Sequence, residues 1–108
     1  MKKLNIIKES KDFDKILKKK NQFTSKFTYI YINENDLNKY RFGICVSKKL
    51  GKAVIRNKIK RRIKDIIDKS KLQFNNKDYI IILKKSAKDA KYLELKEDII
   101  NLLKKINE

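Results

Sequence analysis

The sequence predicts an α+β fold, a single-domain α/β sandwich with helices packed on a small, mostly antiparallel sheet. Three observations carry this. Helix-period and strand-period segments follow one another in the order helix, strand, strand, helix, strand, helix. The run Asp78 to Leu83 (DYIIIL) is almost wholly apolar, as a central strand covered on both faces would be. At 108 residues and 41% apolar content, the chain suits one core and leaves no room for two. One domain over residues 1–108 is therefore expected.

Residues Ser10 to Lys20 read as a short helix. Ser10 is placed to cap it, Asp12 stands in the first turn, and Phe13, Ile16 and Leu17 fall on one face. Phe27 to Asn33 reads as a strand, with Phe27, Tyr29 and Tyr31 on one side and Thr28, Ile30 and Ile32 on the other. The polar, Asn-rich stretch Asn33 to Asn38 is a turn. Tyr40 to Ser47 is a second strand, expected as the antiparallel partner of the first. Its Phe42, Ile44 and Val46 share a face, and Gly43 and Cys45 share the other.

A basic loop, Ser47 to Lys52, leads into a helix from about Ala53 to Lys69. Ile55, Ile59, Ile63 and Ile67, with Ile66 beside them, form one apolar stripe at about 100° per residue. The same spacing puts Asn57, Arg61 and Lys64 opposite, Lys58 and Lys60 at the margins, and Arg56 and Arg62 on the flanks. Asp65 and Asp68 stand in the C-terminal turns, where the helix dipole disfavours acids. A linker ending at Asn75-Asn76 precedes the DYIIIL strand. The last helix, about Lys91 to Ile106, buries Leu95, Ile99, Leu102, Leu103 and Ile106.

Charge narrows the function. Thirty Lys+Arg face 13 Asp+Glu, a net +17, and a compact domain carrying that charge repels itself unless polyanions neutralise it. The segment Lys48 to Lys64 holds nine cations in 17 residues and no acid, including three of the four arginines. Solvated helix faces normally mix signs. Arginine's flat fork of donors suits bidentate phosphate contacts. Nucleic acid is the first partner expected, ahead of an anionic membrane surface or a disordered basic tail.

Absences exclude other classes. With no His there is no His-based nuclease pair, Ser-His-Asp triad or ordinary zinc site. A single cysteine, Cys45, excludes an internal disulfide framework and fits a reducing cytosol. It reads as a buried small hydrophobe. Tyr79 to Leu83 is the longest unbroken apolar run, far short of the ~20 residues of a spanning helix. No apolar stretch follows the basic N-terminus as in a signal peptide. A cytoplasmic protein with no membrane partner is expected. The carboxylate pairs Asp65/Asp68 and Glu94/Asp98 share helix faces and read as solvated or salt-bridged rather than metal-binding. No catalytic residue and no metal ligand is assigned.

The stretch from Phe42 to Arg61 (FGICVSKKLGKAVIRNKIKR) closely resembles the signature of the bacterial ribonuclease P protein subunit. That pattern runs Gly-x-x-Val-Ser-Lys-Lys-x-Gly-x-Ala-Val-x-Arg-Asn-Arg-x-Lys-Arg. Asp12-Phe13, Lys77-Asp78-Tyr79 and the run from Leu95 extend the likeness over most of the chain. Two departures stand out. Lys58 replaces the second Arg of Arg-Asn-Arg, which keeps the charge and loses the planar fork. Lys20 stands where a Gly usually follows helix one.

The resemblance implies a ribosomal-protein-like fold of order αβββαβα with a left-handed βαβ crossover through the basic helix. It implies a fourth strand, in Phe23 to Thr28 or from a split run. As function it implies a subunit of the endoribonuclease that hydrolyses the 5′ leader from precursor tRNA and leaves a 5′-phosphate. Catalysis would lie in the RNA subunit with its bound Mg²⁺. The partners would be that RNA and precursor tRNA, with the protein a monomer within a ribonucleoprotein.

Two surfaces are expected. Lys48, Lys49, Lys52, Arg56, Asn57, Lys58, Lys60, Arg61 and Lys64 would bind the RNA subunit through its phosphates and sugars. Phe13, Leu17, Lys26, Phe27, Tyr31 and Arg41 would line a cleft for the single-stranded leader, which needs stacking faces and a basic track. Leu17 and Phe27 read as core before cleft, and Phe13 and Tyr31 suit either. The composition alone also permits a ribosomal or other structural RNA-binding protein, and an independent protein enzyme comes third.

Overall fold

A strand that is apolar on both faces has to lie inside a sheet that is covered on both sides. In the computed structural model, which describes residues 2 and 5–107, Lys77–Leu83 (β4) does so. It runs between Thr28–Glu34 (β2) and Arg41–Cys45 (β3), antiparallel to β2 and parallel to β3. A fourth strand, Gln22–Thr24 (β1), pairs antiparallel with β2 and gives the order β1-β2-β4-β3. It begins one residue before the expected window.

The strand from Tyr40 to Ser47 is thus not the antiparallel partner of the one before it. Only β4 is apolar on both faces, so it takes the middle and separates the two. The Asn-rich turn still forms: Asn35 Oδ1 accepts the Leu37 N–H at 3.0 Å and Asn38 adopts φ +56°.

The helices are Ser10–Lys18 (α1), Ala53–Ser70 (α2) and Tyr92–Ile106 (α3), with 3₁₀ turns at Lys48–Leu50 and Lys85–Asp89. On one face, Ile30, Ile32, Phe42, Tyr79 and Ile81 pack with Ile63, Ile66 and Ile67 of α2 and Ile99, Leu102 and Leu103 of α3. On the other, Ile80 packs with Ile7 and with Ile16 of α1. The apolar stripe of α2 is buried only in its later turns. Ile59 is half-buried and Ile55 is 48% exposed, because the first turns run past the layer that covers the rest.

Ser10 does not cap α1. Glu9 holds the N-cap position without a side-chain bond, and its carbonyl accepts the Asp12 and Phe13 N–H groups. Packing fixes this helix instead. The Phe13 ring lies on the bare backbone of Gly43, where a Cβ would stand 2.5 Å from Phe13 Cε1. After α1 the chain turns through Lys20 at φ +54°, a left-handed conformation that glycine adopts without cost. That accounts for the glycine usual at this position.

Two polar ties complete the frame. Asp98 on α3 accepts from Ser25 Oγ (2.7 Å), the Phe27 N–H (3.0 Å) and Thr28 Oγ1 (3.0 Å), pinning the β1–β2 turn. Half-buried, it acts as a structural acceptor for that turn. Glu94 accepts the Lys91 N–H at 3.0 Å at the start of α3, and Asp65 pairs with Lys69 at 3.2 Å. Along the outer edge of β3, Ile6 bridges Phe42 in parallel and the Ile7 N–H donates to the Phe42 carbonyl at 2.9 Å.

Gly43→Ala is expected to destabilise the fold by roughly 1–3 kcal/mol, because the added methyl must displace the Phe13 ring. Urea unfolding of the two proteins measures this.

Candidate nucleic-acid interface

The cationic segment begins on a pinned loop. Leu50 is buried in the main core and Ser47 Oγ accepts the Lys49 N–H at 3.3 Å, so Lys48 and Lys49 project into solvent from a fixed turn. Gly51 follows at φ +142°, with Ile55 side-chain carbons 3.0–3.3 Å from where a Cβ would be, so a larger residue would strain the loop. Lys52, Asn57, Lys58 and Arg61 are exposed, while Arg56, Lys60 and Lys64 are half-buried. The cations of α2 divide between its flanks. Lys60 and Lys64 turn toward α1, Lys58 and Arg62 turn toward α3, and Asn57 and Arg61 are exposed.

On the α1 flank the two expected surfaces meet. Lys60 lines an open cavity of about 400 Å³ together with Phe13, Cys45, Ser47 and Ile82. Lys60 and Lys64 also line a second cavity with Phe13 and Ile7. Neither cavity has a carboxylate in its wall. Leu17 and Tyr31, both half-buried, pack with Phe13 on the Ile7–Ile16–Ile80 cluster. Phe13, Leu17 and Tyr31 are therefore packed on one cluster, and Phe13 carries it to the two cations.

The other expected cleft residues are elsewhere. Phe27 is 6% exposed in the main core, because β2 starts only at Thr28 and Phe27 belongs to the turn held by Asp98. Lys26 stands at the same turn with its ammonium 5.1 Å from the Phe27 ring centroid. Arg41 is committed to carboxylates. Its Nε donates to Asp78 Oδ1 at 2.8 Å, one terminal nitrogen to Asp78 Oδ2 at 2.7 Å, and the other lies 3.5 Å from Asp12 on α1. The Asp78 hydrogen bond holds the guanidinium's pKa above its ordinary value against the cost of burial. Asn35 Nδ2 supplies a further donor to Asp78 at 2.8 Å. This group ties α1 to the sheet and carries one net negative charge, so it offers no attraction to a phosphate.

The structure adds residues that the sequence reading left out of the cleft. Sheet register sets Tyr29, Ile82 and Cys45 side by side on the α1 face, one row beyond Tyr31, Ile80 and Gly43. Lys84 Nζ lies 4.6 Å from the Tyr29 ring centroid. Strand alternation had already put Tyr29 on the same side as Tyr31; nothing in the local pattern marked Lys84. Cys45 is half-buried rather than buried. Desolvation pushes its thiol up from the ordinary value, and the nearby Lys60 pulls the other way.

Comparison with known proteins identifies the family and the fold. The Ribonuclease P family model matches residues 1–107. The chain is 39% identical over 105 residues to a ribonuclease P protein component of Streptococcus pneumoniae, covering 96% of this chain and 85% of that one. Among solved structures, the Staphylococcus aureus RNase P protein superposes with a TM-score of 0.87 at 37% identity, over 94% of each chain. The Thermotoga maritima RNase P protein gives 0.83 at 27% identity, over 92% of this chain and 94% of that one.

Removing the guanidinium in Arg41→Ala would strand Asp78, whose side chain is 4% exposed; a loss of about 3–5 kcal/mol is expected in denaturant unfolding. A change confined to RNA affinity would contradict this structural role. For Cys45, a raised pKa leaves little thiolate at neutral pH. Iodoacetamide should therefore modify the folded protein more slowly than the urea-unfolded chain, and faster as pH rises past the ordinary thiol range.

Proposed function

Because the chain belongs to the ribonuclease P protein family, the protein subunits of the enzyme that matures tRNA 5′ ends, we propose that it grips the RNA subunit through the loop and helix from Lys48 to Lys64 and holds the substrate's single-stranded leader in the adjoining cleft. The observation that carries this reading is the position of Lys60. It stands on the cationic helix and also in the wall of the cavity that holds Phe13. One RNA-binding surface thus runs on into the other without a break.

Lys48, Lys49, Lys52, Arg56, Lys58, Arg61 and Lys64 supply sequence-independent attraction to phosphates, and Asn57 donates to sugar or phosphate oxygens. Lys58 does so as a point charge where an Arg would use two parallel bonds. In the cleft, Phe13, Tyr31 and Tyr29 offer ring faces to unpaired bases, and Lys60 and Lys84 supply the basic track. Leu17 shapes the wall.

Bond cleavage is assigned to the RNA subunit. Mg²⁺ is the ion that chemistry would use. Among the described residues no group of three or more Asp, Glu or Cys side chains is placed to hold a metal ion. Asp12 and Asp78 are taken by Arg41, and Asp98 by the β1–β2 turn. In this reading RNA phosphates hold the metal. No helix among the described residues is long and apolar enough to cross a membrane.

Reconstitution tests the proposal: precursor tRNA, a bacterial ribonuclease P RNA and low Mg²⁺, with and without this chain. Cleavage should accelerate with the chain present, and the chain alone should cleave nothing. With about six phosphates neutralised, log K for the RNA should fall against log salt with a slope of roughly −4 to −5. Tyr31→Ala should weaken leader-bearing tRNA more than mature tRNA, and bound leader should shield Cys45 from iodoacetamide. Nucleotide-free protein that trims precursors unaided, or a slope near zero, overturns the reading.

A further inference from the structure

The first turns of α2 and α3 leave apolar surface uncovered. Five large apolar side chains are exposed among the described residues, and four of them lie there: Val54, Ile55, Tyr92 and Leu93. Ile55 (48% exposed) and Tyr92 (37% exposed) line a cavity of about 240 Å³ whose wall includes buried Leu83 and Leu95. The charged groups around it are Lys58, Arg62 and Lys88, with no carboxylate among them. The volume is below the roughly 300–1,000 Å³ of pockets for drug-sized ligands and suits a single ring system.

We propose that this cavity receives one unpaired base of the RNA partner, stacked on Tyr92, with its flanking phosphates on Lys58, Arg62 and Lys88. The assignment rests on the RNA-binding reading above and adds a contact distinct from the leader cleft. Lys58 and Arg62 occupy the α3 flank of α2, whereas Lys60 and Lys64 serve the α1 flank.

Charge selects the occupant. A second copy of a +17 chain would set cations against these three cations. A nucleotide brings a flat apolar face for the ring and anions for the rim. RNA seated on exposed Asn57 and Arg61 also passes the mouth of the cavity, since the next residues of the same helix form its lip.

Affinity of the full chain for a ribonuclease P RNA transcript is the test. Tyr92→Ala should weaken binding on the order of tenfold. The salt slope should not change, because no phosphate contact is removed. Tyr92→Phe should bind as the parent does. Tyr92→Leu, which restores bulk without a π face, should be as weak as Tyr92→Ala. Parent-like binding by Tyr92→Leu or by Tyr92→Ala overturns the proposal. An Arg56→Ala/Lys60→Ala/Arg61→Ala variant separates the two levels. If it too binds normally, the RNA-binding reading itself fails; if it binds weakly while the Tyr92 variants do not, only the base site fails. A concentration-dependent dimer of the free protein, seen in sedimentation and abolished by Tyr92→Ala, would assign the cavity to a second copy and overturn the proposal as well.

Discussion

The burial of β4 on both faces is the constraint from which the remaining architecture follows. Tyr79, Ile80 and Ile81 have no exposure at all, which demands a strand on each side and a helical layer above and below. The parallel pairing with β3 then requires a long connection, and α2 is that connection. The later turns of α2 pack on the sheet face, and its first turns run past the covered layer. This is why its cations arrive at the edge, between the aromatic floor on one flank and the start of α3 on the other. The position of the basic surface is thus a consequence of packing the most apolar segment.

Much of this was legible in residue order. The buried stripe of α3 and the cationic helix follow from period, and the family likeness came from a long motif rather than from bulk lysine. The pairing of the strands was not legible from neighbours in sequence, because sequence proximity favoured a hairpin that the apolar run then displaced. Local patterns were also silent on Asp78. An acid at the start of an apolar strand looks like a boundary residue, and only the three-dimensional meeting with Arg41 and Asn35 makes it a buried acceptor. The same meeting removed Arg41 from the cleft. Charge counting treats every guanidinium as available, whereas two carboxylates had already claimed this one. Phe27 failed for a smaller reason, a strand beginning one residue later than alternation suggested.

The distribution of charge also separates two kinds of work. The acids that the structure places in hydrogen bonds at the heart of the frame, Asp78 and Asp98, hold elements together. The cations that crowd Lys48 to Lys64 stay at the surface or along its margins. Self-repulsion is therefore concentrated on one region, while the acids of the frame are engaged by donors of their own.

The central place of β4 has a temporal side. It is the last strand to be made, and β2 and β3, which flank it, are both synthesised earlier with no partnership between them. As the chain leaves the ribosome, its first half can form a short β1–β2 hairpin and helical turns, but the sheet stays open until residues 77–83 emerge to fill the gap. The polycation is thus fully translated before the scaffold that orients it exists. A nascent chain stalled short of that point would present adhesive charge without shape, binding nucleic acid of any kind and discriminating among none.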